Sequence, residues 1–353
     1  MARSSRQIKS RVNPTVYFAL GACLLCLAAV AGILVGSTTL SWETIVRVIG
    51  THLFSLSGEG ISQADDVIVW TIRVPRVFVA ALSGASLAAA GASMQGLFRN
   101  PLAEPSVVGV SAGAGLGAVI AFVTGLVSQS ALWLPLCAFV VALATLFGVY
   151  TLSTRGGRTP IATLLLAGIA VGSFLTAMTS LLISMNFIDW QVAAEILYWM
   201  MGGLDSRSWV HVWIALPFTL LGAGLTIWFA RDLDLMLMGE ETSASLGVDV
   251  QTLKRGILVA VALLTASSVA VSGILSFVGL VVPHIVRLIL GPSHRILFPA
   301  SMLTGATFVI ACDILARTIY GPLEIRLGVV TAAIGAPFFL WLLHARRREL
   351  GVT

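Results

Sequence analysis

The sequence predicts an all-α integral membrane protein of about ten spanning helices with both termini cytoplasmic. Three observations predict it. The composition is 58% apolar and 10% charged, with mean hydropathy +0.97, whereas a soluble domain carries roughly 25% charged residues. Residues 77–98, 106–154 and 159–188 contain no Asp, Glu, Lys or Arg. The basic residues gather in alternate connections between the apolar runs.

A spanning helix needs about 20 mostly apolar residues, and bonding within each helix satisfies the backbone where water is absent. The runs lack the period-2 alternation of a membrane barrel. In order, the spans are 15–36, 74–97, 106–126, 131–152, 160–184, 209–230, 256–272, 274–290, 297–315 and 327–344. The first follows a basic head but is too long for a signal-peptide core, and no A-x-A site closes it. Spans seven and eight are divided at Ser272-Gly273, a helix-breaking pair.

Charge placement supports that division. With ten spans, Arg3, Arg6, Lys9, Arg11, Arg99, Arg155, Arg158, Arg231, Lys254, Arg255, Arg287, Arg295, Arg346, Arg347 and Arg348 share the cytoplasmic side, 15 of the 21 basic residues. Fusing spans seven and eight would expel Arg346, Arg347 and Arg348, against the positive-inside tendency. The net charge of +5 is then mostly a topology signal and calls for no nucleic acid. The chain reads as one transmembrane domain, 1–353, with a basic tail at 1–14. The polar intervals 37–70, 185–208 and 231–255 are too short for a catalytic domain. Gly109, Gly113 and Gly117 recur every fourth residue and open one helix face to close packing.

Several function classes lose support. An ion-coupled carrier places acids near mid-bilayer, where a charge costs about 2.5–3.5 kcal/mol; Asp313 is the nearest case and lies toward a span end. The five histidines are scattered, and Cys23-x-x-Cys26 has no second ligand pair, so neither a catalytic cluster nor a metal centre is expected. No Gly-rich loop ending in Gly-Lys-Ser/Thr is present. A channel remains open on composition alone.

Four stretches carry a resemblance: Arg73-Val-Pro-Arg76, Met94-Gln-Gly-Leu-Phe-Arg-Asn-Pro-Leu-Ala-Glu-Pro105, Gly239-Glu-Glu-Thr-Ser-Ala-Ser-Leu-Gly247 and Phe277-Val-Gly-Leu-Val-Val-Pro-His284. Tyr198-Trp-Met-Met-Gly-Gly203 and Gly335-Ala-Pro-Phe338 add to it. In this order, over about 15–345, they resemble the FecCD-type permeases of ATP-driven importers for vitamin B12, iron–siderophores and haem. The resemblance implies a non-catalytic subunit of a type II ABC importer in the bacterial inner membrane, without a cofactor of its own. Its implied partners are a second copy of the chain, two separate ATPase subunits, a periplasmic binding protein and the lipid bilayer.

The resemblance also implies sites. Arg73, Arg76 and Arg317 stand where the family's arginines meet acidic groups of the binding protein, and guanidinium forks suit carboxylates. Glu240, Glu241, Leu246 and Gly247, within 231–255, match the coupling helix that fits the ATPase. Acids at its start and Gly at its end suit a short helix. Asn100 and Leu102 match one part of the cytoplasmic gate, with Pro101 holding Asn100 extended. Ile161 and Ala162 stand at the second part, where the vitamin B12 permease has small hydroxyl residues. Arg326 stands where the family often has Pro; it either widens the docking surface or pairs with Glu324. Met178 and Met185 in span five fit a large, mostly apolar planar cargo. The general likeness points to haem first, then other iron chelates, then vitamin B12.

Overall fold

The computed structural model describes residues 12–36, 38–55, 60–130, 132–185, 190–321 and 323–345. The basic residues Arg3, Arg6, Lys9, Arg11 and Arg346 to Arg348 lie outside these. Among the described residues the chain is helical. An isolated bridge between Arg155 and Arg158 closes over Gly156 and Gly157, both at positive φ.

Ten apolar helices coincide with the ten predicted spans. They are α1 (Pro14–Leu34), α3 (Val74–Leu97), α4 (Val110–Val123), α5 (Trp133–Ser153), α6 (Ile161–Met185), α8 (Trp209–Trp228), α11 (Val250–Ser272), α12 (Val278–Leu290), α13 (His294–Thr318) and α14 (Leu327–Ala345). Between them lie α2 (Trp42–Phe54), α7 (Trp190–Met200), α9 (Ala230–Met236) and α10 (Glu240–Ser245). Seven apolar helices are long enough to cross a bilayer by length and composition; α4, α12 and α14 supply three shorter apolar ones.

Local chemistry explains the ends. Asn13 caps α1 by accepting from Thr15 N, and Pro14 stands where a missing N–H costs nothing. Before α3 the helix widens to a π-helical stretch, Val67–Arg73. Pro75 has no N–H and its ring crowds the carbonyl a turn earlier, a conflict that a wider turn relieves. The break expected at Ser272-Gly273 is present: Gly273, at φ 68°, ends α11, and α12 begins at Val278.

The short helices were not legible as spans. α2 buries Ile45 and Val48 against Val69 and Val74 while exposing Trp42, Val46 and Phe54. Asp249 caps α11 by accepting from Gln251 N and Thr252 N. That span therefore starts at Val250, not 256, and takes Lys254 and Arg255 into the helix.

α3 is the central post, buried along nearly its whole length against α13, α11, α12 and α8. Glycines set its crossings. A Cβ on Gly84 would lie 2.1 Å from Gly305 O, and one on Gly91 would lie 1.8 Å from Gly279 O, so backbones touch there. The α4 glycines also pack: a Cβ on Gly117 would lie 2.3 Å from Cys137 O of α5. α6 is peripheral and exposes Leu166, Ile169, Phe174 and Leu181.

Candidate transport pathway and its two ends

The predicted site residues fall at opposite ends of α3, whose 24 residues span about 36 Å at 1.5 Å per residue. Arg73 and Arg76 stand at its start. Asn100 and Leu102 follow its end, beside α10.

At the α10 end, Glu240 and Glu241 occupy the first helical turn. Ser243 is buried and donates to Leu235 O (2.8 Å) and Gly239 O (2.6 Å), pinning α10 onto α9. Gly247, at φ 89°, stops the helix, with Val248 N donating back to Ser243 O at 3.0 Å. Leu246 is 55% exposed. α10 therefore presents an apolar tip on a rigid foot.

The foot is tied to the bundle twice. Asp234 of α9 accepts from His294 N (2.7 Å) and Ser293 Oγ (3.1 Å) at the start of α13, and its Oδ1 lies 2.7 Å from His294 Nδ1. Burial opposes ionisation of Asp234, but the His294 contacts outweigh it and hold the carboxyl below its ordinary range. On the other side, Lys254 of α11 donates to Glu240 Oε2 and to Thr159 O, both at 2.8 Å.

The gate residues form two groups. Asn100 Oδ1 accepts from Leu102 N at 2.9 Å, a side-chain-closed turn around Pro101; Leu102 is 42% exposed. A Cβ on Gly239 would lie 3.7 Å from Arg99 Nη1, placing this turn beside the start of α10. Ile161 and Ala162 open α6 and line a cavity of about 660 Å³ with Glu240, Glu241, Gln251 and Lys254. Asn100 and Leu102 do not line that cavity.

At the Arg73 end the arginines turn inward. Arg73, Arg76 and Arg317 are 4%, 8% and 9% exposed. Arg73 Nη1 donates to Ile33 O (2.9 Å) and Leu34 O (3.0 Å), and Nη2 to Thr38 O. Arg317 donates to Gly32 O (3.1 Å) and Val35 O (2.7 Å). Both satisfy carbonyls left open at the end of α1. Arg76 meets Asp313 and Glu324, each at 2.8 Å, and Arg317 meets Asp313 at 3.0 Å.

Arg326 corrects the expected pairing with Glu324. It pairs with Asp205 and stacks over Tyr198, its guanidinium carbon 4.3 Å from the ring centroid, while Glu324 goes to Arg76. Burial opposes ionisation of Asp205 but is outweighed by a hydrogen bond with Glu324 and by Arg326, Arg76 and Arg207. Glu324 is pushed up, first by burial. The two acids thus divide their protonation unequally.

Between the ends lies a cavity of about 750 Å³ walled by α4, α6, Met200 and Ile274. Its polar groups are hydroxyls, including Ser111, Ser173, Thr176 and Thr179, and no Asp, Glu, Lys or Arg lines it. Ser173, Thr176, Ala177 and Ser180 remain exposed, so α6 gives it one unclosed wall. Met178 and Met185 do not line it; the methionine that does is Met200, on α7, a helix hidden in an interval that reads as a loop. Lys254, Thr159, Asp234 and His294 are the functional candidates that sequence reasoning missed.

Ten apolar helices, seven of them long enough to cross a bilayer, define a multi-pass membrane protein with an uncharged cavity left open on one side. The FecCD transport family model matches residues 24–345, and the chain belongs to that family. It is 46% identical to the cobalamin import system permease protein BtuC of Halobacterium salinarum over 81% of this chain and 76% of the relative. It is 35% identical to the hemin transport system permease protein HmuU of Yersinia pestis over 97% and 99%. A solved structure described as an inward-facing transporter of the metal-chelate ABC type matches with TM-score 0.81 and 28% identity, covering 94% of this chain and all of that one.

Membership of this family makes the chain a permease of the inner membrane and implies an ATPase and a substrate-binding protein as partners. The relatives are transport permeases.

Proposed function

We propose that this chain is the membrane half of a binding-protein-dependent type II ABC importer for a large metal chelate, acting as a homodimer by alternating access. The observation that carries the reading is the open, hydroxyl-lined cavity without a charged group. A wall of small residues accommodates a bulky solute without gripping it, and alternating access requires differential stabilisation of two packings. A second copy facing α6 closes the cavity and covers Leu166, Ile169 and Phe174. Asp313 is held between Arg76 and Arg317.

On this reading the α10 end is cytoplasmic, together with both termini. Leu246 fills a cleft on the ATPase, and Gly247 ends the element that transmits its stroke. Asn100 and Leu102, with Ile161 and Ala162, form the constriction above it. The Arg73 end faces the binding protein. There Arg76 reaches the surface through Glu324, whose side chain is 30% exposed, and an incoming carboxylate exchanges with Glu324. Arg73 and Arg317 hold the end of α1 in place beneath that contact.

Haem and other iron chelates fit an uncharged cavity of this size. Vitamin B12 is the second reading, favoured by the 46% identity to a cobalamin permease. The test is uptake of haemin, ferric citrate and cyanocobalamin into vesicles bearing the complete assembly. Import of one of the three that needs both ATP and the binding protein supports the reading. Uptake of none, or uptake without ATP, refutes it.

A further inference from the structure

Lys254 is an anomaly: an amine only 3% exposed, one turn inside an apolar helix. A buried ammonium persists only where partners replace its water. It has two, on different elements: Glu240, the first residue of α10, and the carbonyl of Thr159, each at 2.8 Å. Thr159 is itself 1% exposed, and its N–H donates to Gln251 Oε1 at 3.3 Å. Gln251 and Lys254 stand three apart on one face of α11, so they grip both backbone groups of Thr159. Pro160 follows, fixed in φ, and Ile161 begins α6. A pull on Thr159 is therefore delivered to the helix that walls the 750 Å³ cavity.

Glu241 and Ala244 of α10 and Ile161 and Ala162 of α6 line one cavity of about 660 Å³. Beside that space the polar link at Lys254 joins the two elements.

We infer that Lys254 is the positioning residue through which α10 holds the start of α6, so that α10, Thr159–Pro160 and the α6 wall move as one body. This rests on the transport reading above. It assigns the transmission of the ATPase stroke to one ammonium and the Thr159 carbonyl.

The test uses the complete assembly in proteoliposomes, with whichever of haemin, ferric citrate or cyanocobalamin the parent imports. Lys254→Met and Glu240→Gln should each lower the amount imported per ATP hydrolysed by about tenfold, the scale of one lost coupling contact. In a cysteine-free background, spin labels at Ala162→Cys and Ala244→Cys should keep their separation when ATP binds in the parent and change it in Lys254→Met. A merely structural lysine would not alter that distance response. If Lys254→Met does not assemble, Glu240→Gln, whose side chain is 37% exposed, decides. Parent-like import per ATP in an assembled variant, or label separations that respond alike, overturns the inference. A parent without ATP-dependent import overturns the transport reading instead, a separate result.

Discussion

Arg76 and Asp313 close a two-pronged ion pair across the bundle, Nε to Oδ1 at 3.1 Å and Nη2 to Oδ1 at 2.8 Å, joining α3 to α13 where both residues are buried. With Arg317 on its other oxygen, Asp313 is the hub of the Arg73 end. Breaking such a pair from one side leaves an uncompensated buried charge. Asp313→Asn should lower stability by about 3–5 kcal/mol, read as a fall in Tm in detergent. Import should remain independent of an imposed proton gradient.

The central crossing makes a sharper steric prediction. A Cβ on Gly91 would stand 1.8 Å from a backbone oxygen of α12, which has no flexible end to yield. Gly91→Val should therefore abolish accumulation of folded protein in the membrane, since overpacking a core costs about 1–3 kcal/mol or more. Gly148→Val, with nothing within 4 Å of its Cβ position, should accumulate normally.

Asp234 carries a pH signature. Its carboxyl titrates below the ordinary range in the folded chain, so its contribution is complete above the unfolded value of about 3.9 and fades as pH falls through the lower folded value. Asp234→Asn should cost about 1–3 kcal/mol near neutrality, with the deficit shrinking below about pH 4. Thermal unfolding of parent and variant across that range measures it.

The exposed tip of α10 should behave as a contact, not as a core group. Leu246→Asp should leave the stability of the isolated chain within about 0.5 kcal/mol of parent. It should abolish co-purification with the ATPase, because a charge placed in a desolvated apolar contact has no partner.

In the pathway wall, Ser173→Trp or Thr176→Trp should stop import without changing co-purification with the ATPase. Both positions border the cavity from the exposed face of α6.

The ten spans were legible because charge-free runs and the break at Gly273 are one-dimensional signals. The α10 helix was legible for a similar reason: its acids, its Gly247 and its length are local. Inward-facing arginines were not. An arginine at a helix end reads as surface until its acceptors are known, and those of Arg73 are backbone carbonyls about 40 residues away. Arg317 left one local hint, Asp313 four residues earlier. The partner of Arg326 was not legible because Asp205 lies across 121 residues. Lys254 was read as a loop charge because the apolar run begins after it. Only the cap at Asp249 shows that the helix starts earlier.

The central claim is that this chain is a passive wall driven through α10 by another subunit. It is tested most directly by loading vesicles with the chain alone and then with its ATPase and binding protein, and following accumulation of labelled cargo. Accumulation against a gradient only in the second preparation, and only with ATP, is the predicted result. Accumulation by the chain alone under a proton or sodium gradient would contradict it.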